Sequence, residues 1–395
     1  MVNWKKLSSA LGVSLLLAPA VSGAPLVARG PDDELAAIAL ENAYKILDGT
    51  LQDGSSHTSC NRDNVVIRKE YGDLTTDERD DYTKAVKCLL NAPSKLSSSQ
   101  YPGAKNRYDD FVIVHINMTH MVHGTANFLH WHRYYIWAYE VALRDECGYK
   151  GYQPYWNWGK YPDPLKSPIF NGDAHSMGGN GEYVAHSGQP LGMVGQQVPA
   201  GNGGGCVMTG ALANTTVNVG PIAPSMDPKI GIPRNPRPDG YGYNPRCMRR
   251  DVTSYFTSQY LRPQDIAKHI TSSKDQGVFQ DTLQTDTRQA FSLHTAGHYT
   301  IWGDPAGDFY VSPADPAFWL HHGQVDRHWW IWQNQDPATR VQQYMGGTEW
   351  MVMNSKAGKL SDLQHLSIVA PATTGSIPSG QLVSTTAGPF CYVYQ

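Results

Sequence analysis

Charge is scarce in this chain: Asp, Glu, Lys and Arg make up 17% of its 395 residues, against the roughly 25% usual in soluble domains. A disordered, coiled-coil or supercharged protein is thereby excluded. The charge that is present nearly cancels, 32 basic against 35 acidic residues, so there is no basic footprint for nucleic acid and no polybasic patch for an anionic membrane. After the leader there is no apolar run long enough to span a bilayer, no internal repeat and no low-complexity tract. Partners must therefore be sought in specific pockets. What the chain has in excess is Gly and Pro, 38 and 26 residues, and an uneven set of 15 histidines. Five of these fall within 115–132 and five within 294–328. The length allows two or three average domains and a large core.

The first residues give the compartment. Met1 to Lys6 is a short basic region, Leu7 to Ala20 is largely apolar, and Val21-Ser22-Gly23 offers small residues for cleavage, so 1–23 reads as a secretory signal peptide. Pro19 and several Ser argue against a membrane anchor. Residues 24–59 form an N-terminal segment, with a short propeptide ending at Arg29 as one reading, and 60–395 reads as one large catalytic domain. In a secreted chain the even set Cys60, Cys88, Cys147, Cys206, Cys247 and Cys391 predicts three disulfides. The pairing is open, with Cys206–Cys247 preferred because the loop-like stretch between them gains most from a staple. Sequons at Asn117 and Asn214 fit the same route.

Capping and periodicity predict helices over 31–47, from the Thr75 capping box to about 90, and over 108–121, 134–146, 264–273, 282–300 and 325–335. Residues 161–248 are dense in Gly, Pro, Asn and Ser and read as a long cover of loops. Short β-like runs follow at 381–385 and 391–394.

The histidines carry the chemistry. His115 and His123, eight residues apart, would be separated by about 12 Å of rise on one straight helix, too far for two bonds of ~2 Å to one ion. Spacing alone prefers His120 with His123. If His115 is a ligand, the helix must end near 119–121 and fold His123 back on a loop, for which Gly124 gives freedom. His132 is expected to start the next helix. In the second cluster, His294 and His298 stand at i and i+4 on one helix face, the spacing for a shared metal. Thr295 after His294 excludes the zinc-protease motif, which needs Glu there. Asp326, four residues past His322, either orients that ring, caps the helix, or pairs with Arg327 or another arginine.

His123-Gly124 with Phe128-Leu129 and Trp131-His132-Arg133, and Asp315-Pro316 with Phe318-Trp319-Leu320-His321-His322 and Asp326-Arg327, resemble the two copper signatures of tyrosinases and catechol oxidases. The likeness spans roughly 108–335 and is nearest the short, secreted fungal type. It implies a mainly α fold, a central four-helix bundle holding a dinuclear copper site, with long irregular loops and a few short strands. It assigns His115, His123 and His132 to one copper ion and His294, His298 and His322 to the other, overruling the preference for His120. It implies O₂ as co-substrate, small phenols as substrates and oxidation of catechols to o-quinones. The Tyr392-Val393-Tyr394 run resembles the motif closing the catalytic domain, so no C-terminal shielding domain is expected.

Phe318 is expected over the second copper, limiting substrate entry, with Phe128 and Tyr299 as further pocket residues. Family members that hydroxylate monophenols often carry Asn after the first histidine of the second set and a nearby Glu; here Thr295 and Gln284 stand there, and amide and hydroxyl groups make poor bases. Weak or absent monophenol hydroxylation follows as the expectation. Met121 replaces the Cys that many relatives crosslink to histidine, so that thioether is expected to be missing.

Overall fold

Ala36, Ala39 and Ala43 recur at three- and four-residue spacing and are all buried, giving the first helix a small-residue face that lets other helices approach closely. The computed structural model describes residues 30–395 apart from 58, 193 and 353, so the signal-peptide and propeptide expectations lie outside the described residues. Its α-helices are α1 (Pro31–Leu47), α2 (Thr76–Asn91), α3 (Arg107–Val122), α4 (Phe128–Cys147), α5 (Ser254–Gln259), α6 (Pro263–Ser272), α7 (Gln276–Gln284), α8 (Leu293–Ile301), α9 (Ala317–Gln333) and α10 (Pro337–Arg340). With only short strands beside them, the architecture is mainly α, as expected. α1 belongs to the same core as the helices after Cys60.

At the centre lies α9, all of whose residues are buried. It packs on α4 and α8, and α4 packs on α3, so these four helices frame one interior. Three corrections to the expected elements bear on the site. α4 starts at Phe128 rather than 134, which places His132 more than a turn inside it. The expected helix over 282–300 is two helices: α7 ends at Gln284, and Ser292 starts α8 by accepting a hydrogen bond from the Thr295 N–H. α9 begins at Ala317, well before the expected 325.

Residues 161–248 are not loop alone. Gly181–Tyr183, Gly204–Val207, Arg249–Arg250 and Gly303–Asp304 form a four-stranded sheet in that order. Buried Arg250 ties this sheet to Asp315, just ahead of α9, at 2.7 Å. The three expected disulfides form as Cys60–Cys391, Cys88–Cys147 and Cys206–Cys247, the last as preferred from sequence. Tyr392–Tyr394 is a strand, parallel to Val66–Arg68, whereas the run at 381–385 is not. Asn117 and Asn214 are exposed, with the Asn117 amide oxygen accepting from the Tyr241 hydroxyl. No helix among the described residues is long and apolar enough to cross a membrane.

Candidate metal centre

α3 stops where the chemistry needs it to. Its last residue is Val122; His123 turns to extended backbone at φ −121°, ψ 139°, and Gly124 follows at φ +61°, a left-handed conformation that favours glycine. This fold-back brings His123 to His115, with ring centroids 5.2 Å apart, although the two are separated by eight residues. His132 reaches the same point from α4, 4.9 Å from His123. The three nitrogen donors lie within 4.8 Å of one another. His120, preferred on spacing, is elsewhere: it is exposed, stacks on Trp350 at 4.3 Å and meets the Tyr310 hydroxyl at 2.7 Å.

Each ring of this triad has a fixed tautomer. His115, His123 and His132 donate their Nδ1–H to the carbonyls of Tyr310, Thr119 and Phe128, all at 2.8 Å. Every Nε2 therefore carries a lone pair, and those of His115 and His132 are buried without a partner. Burial holds the rings neutral, pushing His115 down to about 3 and His123 to about 4, and taking His132 well below the usual imidazole range.

The second triad comes from α8 and α9. The Nε2 atoms of His294, His298 and His322 form a triangle with sides of 3.1, 3.2 and 3.4 Å. Three ligands ~2.0 Å from one ion at tetrahedral angles would stand about 3.3 Å apart, so the triangle is already metal-sized. Burial, reinforced by neighbouring imidazoles, keeps all three neutral. His321 also falls in this cluster. Its Nδ1, however, accepts the Trp158 indole N–H at 3.1 Å, which leaves the hydrogen of the neutral ring on Nε2 and removes that nitrogen as a donor to metal. Gly297 makes room for it, since a Cβ there would stand 2.1 Å from the His321 ring. The two triads face each other, with His132 and His322 stacked at 4.6 Å. Converging buried lone pairs with no partner are costly unless a cation takes them. Imidazole suits copper and zinc, and three ligands per ion leave a position open.

That opening leads into a cavity of about 440 Å³ lined by His123, His294, His298, Thr295, Tyr299 and Gln284. Phe309 and Trp350, which sequence reasoning missed, also line it, Phe309 standing 4.8 Å from His123. Trp350 had one signal: it stands apart from the nine tryptophans within 131–158 and 302–332. Phe318 and Phe128 are corrections. Neither lines the cavity; both are buried behind the ligand rings, Phe318 stacked on His322 at 4.1 Å and Phe128 4.8 Å from His132. Asp326 does not orient His322. It pairs with Arg133 at 2.6 Å and accepts the Tyr392 and Tyr394 hydroxyls at 2.6 Å each, with Arg68 at 3.6 Å. The arginine alternative thus holds, with Arg133 rather than Arg327. His130 lies between Trp329 and Tyr344, and His328 faces His269, so neither joins a triad.

Residues 105–335 match the common central domain of tyrosinase. Tyrosinase P of Aspergillus terreus is 36% identical over 340 residues, covering 84% of this chain and 92% of that protein. N-acetyl-6-hydroxytryptophan oxidase of Emericella nidulans is 36% identical over 353 residues, 85% of this chain and 94% of that one. A mutant polyphenol oxidase from Thermothelomyces thermophila superimposes with a TM-score of 0.84 at 39% identity, covering 92% of this chain and 98% of its own. The chain belongs to the tyrosinase family and is a copper oxidoreductase of that type, built for a pair of copper ions.

Proposed function

We propose that this protein is a secreted polyphenol oxidase that converts o-diphenols to o-quinones while O₂ is reduced to water, two catechols being oxidised per O₂. His115, His123 and His132 hold one copper; His294, His298 and His322 hold the other. The observation that carries this reading is the pair of facing triads, six neutral imidazoles converging through Nε2, five of them buried and His298 half-buried, at the end of a cavity wide enough for a phenolic ring. When bound, the copper pair supplies two-electron exchange between the phenol and O₂.

The chain supplies geometry and a dry wall. Backbone carbonyls of Tyr310, Thr119 and Phe128 fix three ligand rings, and Phe318 stacks behind His322 to hold a fourth. Phe309, Trp350 and Tyr299 give the substrate ring flat apolar faces and exclude water. Asp281, Asp286 and Asp308 line the cavity, but the two positions expected to serve proton removal, 284 and 295, carry no carboxylate. Gln284 is occupied at both ends of its amide, accepting from Gly124 N–H at 2.9 Å and donating to the Gln280 carbonyl at 3.2 Å. Thr295 receives the Ser292 hydroxyl at 2.9 Å. Neither is a base, so a monophenol, which must lose its only phenolic proton before it can be hydroxylated, is served poorly. The exposed sequons Asn117 and Asn214 and three disulfides support passage through the secretory route.

A second reading, oxidation of monophenols, draws on the E. nidulans relative, whose named substrate carries a single ring hydroxyl. A panel of catechol, a matched monophenol and an o-aminophenol on the copper-loaded enzyme separates the two. Catechol should turn over at least a hundredfold faster than the monophenol; lag-free monophenol turnover at a comparable rate contradicts the proposal.

A further inference from the structure

A second cavity, about 330 Å³, opens at the N-terminal end of α1 and shares no residue with the first. Its lining carries four carboxylates, Asp32, Asp33, Glu70 and Asp73, against two cations, Lys160 and Arg327. Lys160 is already paired with Glu70 and Asp73. Asp32 forms no ion pair among the described residues, although it is 2% exposed and its Oδ1 has no hydrogen-bond partner. The Glu70 Oε1 atom is buried and unpartnered too. Burial pushes the Asp32 carboxyl up to about 6, with the Asp33 charge adding to the rise and Arg327 opposing it. Arg327, whose Nε and Nη1 are buried without a partner, makes no ion pair with Asp32 either, so the lining holds two more carboxylates than cations and leaves Asp32 unpaired among the described residues.

The sequence can provide a cation without a ligand. Gly30 lines the cavity, its N–H donating to Asp33 Oδ2 at 3.3 Å, and a Cβ on Gly30 would stand 2.6 Å from Asp32 Oδ1. Arg29 precedes it, so the bond between them suits an endoprotease that cuts after a single arginine. Hydrolysis adds one water across this amide: the C–N bond breaks, Arg29 keeps the water oxygen in a carboxylate, and the Gly30 nitrogen takes both of the water's protons. A neutral nitrogen with one donor becomes an ammonium with three donors and a full positive charge.

We propose that the chain is processed between Arg29 and Gly30, and that the new Gly30 ammonium seats against the buried Asp32 and its neighbour Asp33, pinning the first turn of α1. The α1 dipole opposes a cation at this end with about half a charge, and the acidic first turn of Asp32, Asp33 and Glu34 outweighs it. α1 itself packs on the helix that carries His322. Near the C-terminal end of α9, Gln335 Nε2 donates to the Leu35 carbonyl and Asn42 Nδ2 to the Asn334 carbonyl, both at 2.9 Å.

Intact mass and N-terminal sequencing of the secreted, copper-loaded enzyme should find Gly30 as the first residue; Ala24 or any other start overturns the proposal. The variant Arg29→Gln should keep the preceding segment attached. Amide exchange over 31–47 should then run roughly tenfold faster than in the Gly30-initiated enzyme, and Asp32→Asn in the latter should bring the same acceleration with catechol turnover unchanged. Equal exchange in the processed and unprocessed enzymes, or a difference that survives Asp32→Asn, overturns the seating.

Discussion

Replacing Asp326 by Asn tests whether this carboxylate serves the fold or the metal. Asp326 is 3% exposed and compensates two fully buried arginines, Arg133 at 2.6 Å and Arg68 at 3.6 Å, while taking the hydroxyls of Tyr392 and Tyr394. Breaking a buried pair costs about 3–5 kcal/mol. Here the lower end applies, because Arg133 keeps the Leu382 and Val383 carbonyls and Arg68 keeps Glu140. An unfolding entropy of roughly 2.1 cal/mol/K per residue gives about 0.8 kcal/mol/K for a chain of this size, so a loss of ~3 kcal/mol lowers the melting midpoint by about 4 °C. Calorimetry on the copper-loaded variant at matched scan rate, with copper measured on the same sample, should give that shift at unchanged metal content. An unchanged midpoint with loss of one copper would refute the reasoning and return Asp326 to the role of orienting His322.

Other outcomes follow from the same geometry. The double change Thr295→Asn with Gln284→Glu should raise the monophenol-to-diphenol rate ratio at least tenfold, since a positioned general base contributes about 10²–10⁴; an unchanged ratio speaks against the proton-removal argument. His321→Ala should keep the full copper complement because Trp158 already holds that ring out of ligation, and loss of a copper would contradict the tautomer assignment. In the metal-free protein, His115 at about 3 and His123 at about 4 are neutral when folded, whereas the unfolded chain protonates near 6.5. Stability is therefore full above pH 6.5 and falls as pH drops toward those values, by about 2 kcal/mol per histidine at pH 5. Chemical denaturation at pH 7.5 and 5 measures this, and equal stability at the two pH values would contradict the neutral-imidazole assignment.

Much of the site was legible because it follows local rules. His294 and His298 share a face at i, i+4, and a glycine after His123 allows the fold-back that rescues His115. α1 and the Thr75 cap were readable for the same reason: caps and periodicity are local. α9 was read too short because every one of its residues is buried, which erases the polar face that periodicity needs. The break between α7 and α8 escaped because neither Gly nor Pro marks it, only the Ser292 cap. The setting of Asp326 and the approach of Trp350 to the cavity depend on segments far apart in sequence, joined only by the tertiary fold. Spacing alone misjudged His120, whose exposed ring packs on Trp350 instead.

Copper content per chain, measured on the purified enzyme and on His115→Ala and His294→Ala, tests the central claim most directly. Two coppers in the parent and about one in each variant are predicted. Zinc in place of copper, or two coppers retained after His294→Ala, would contradict it.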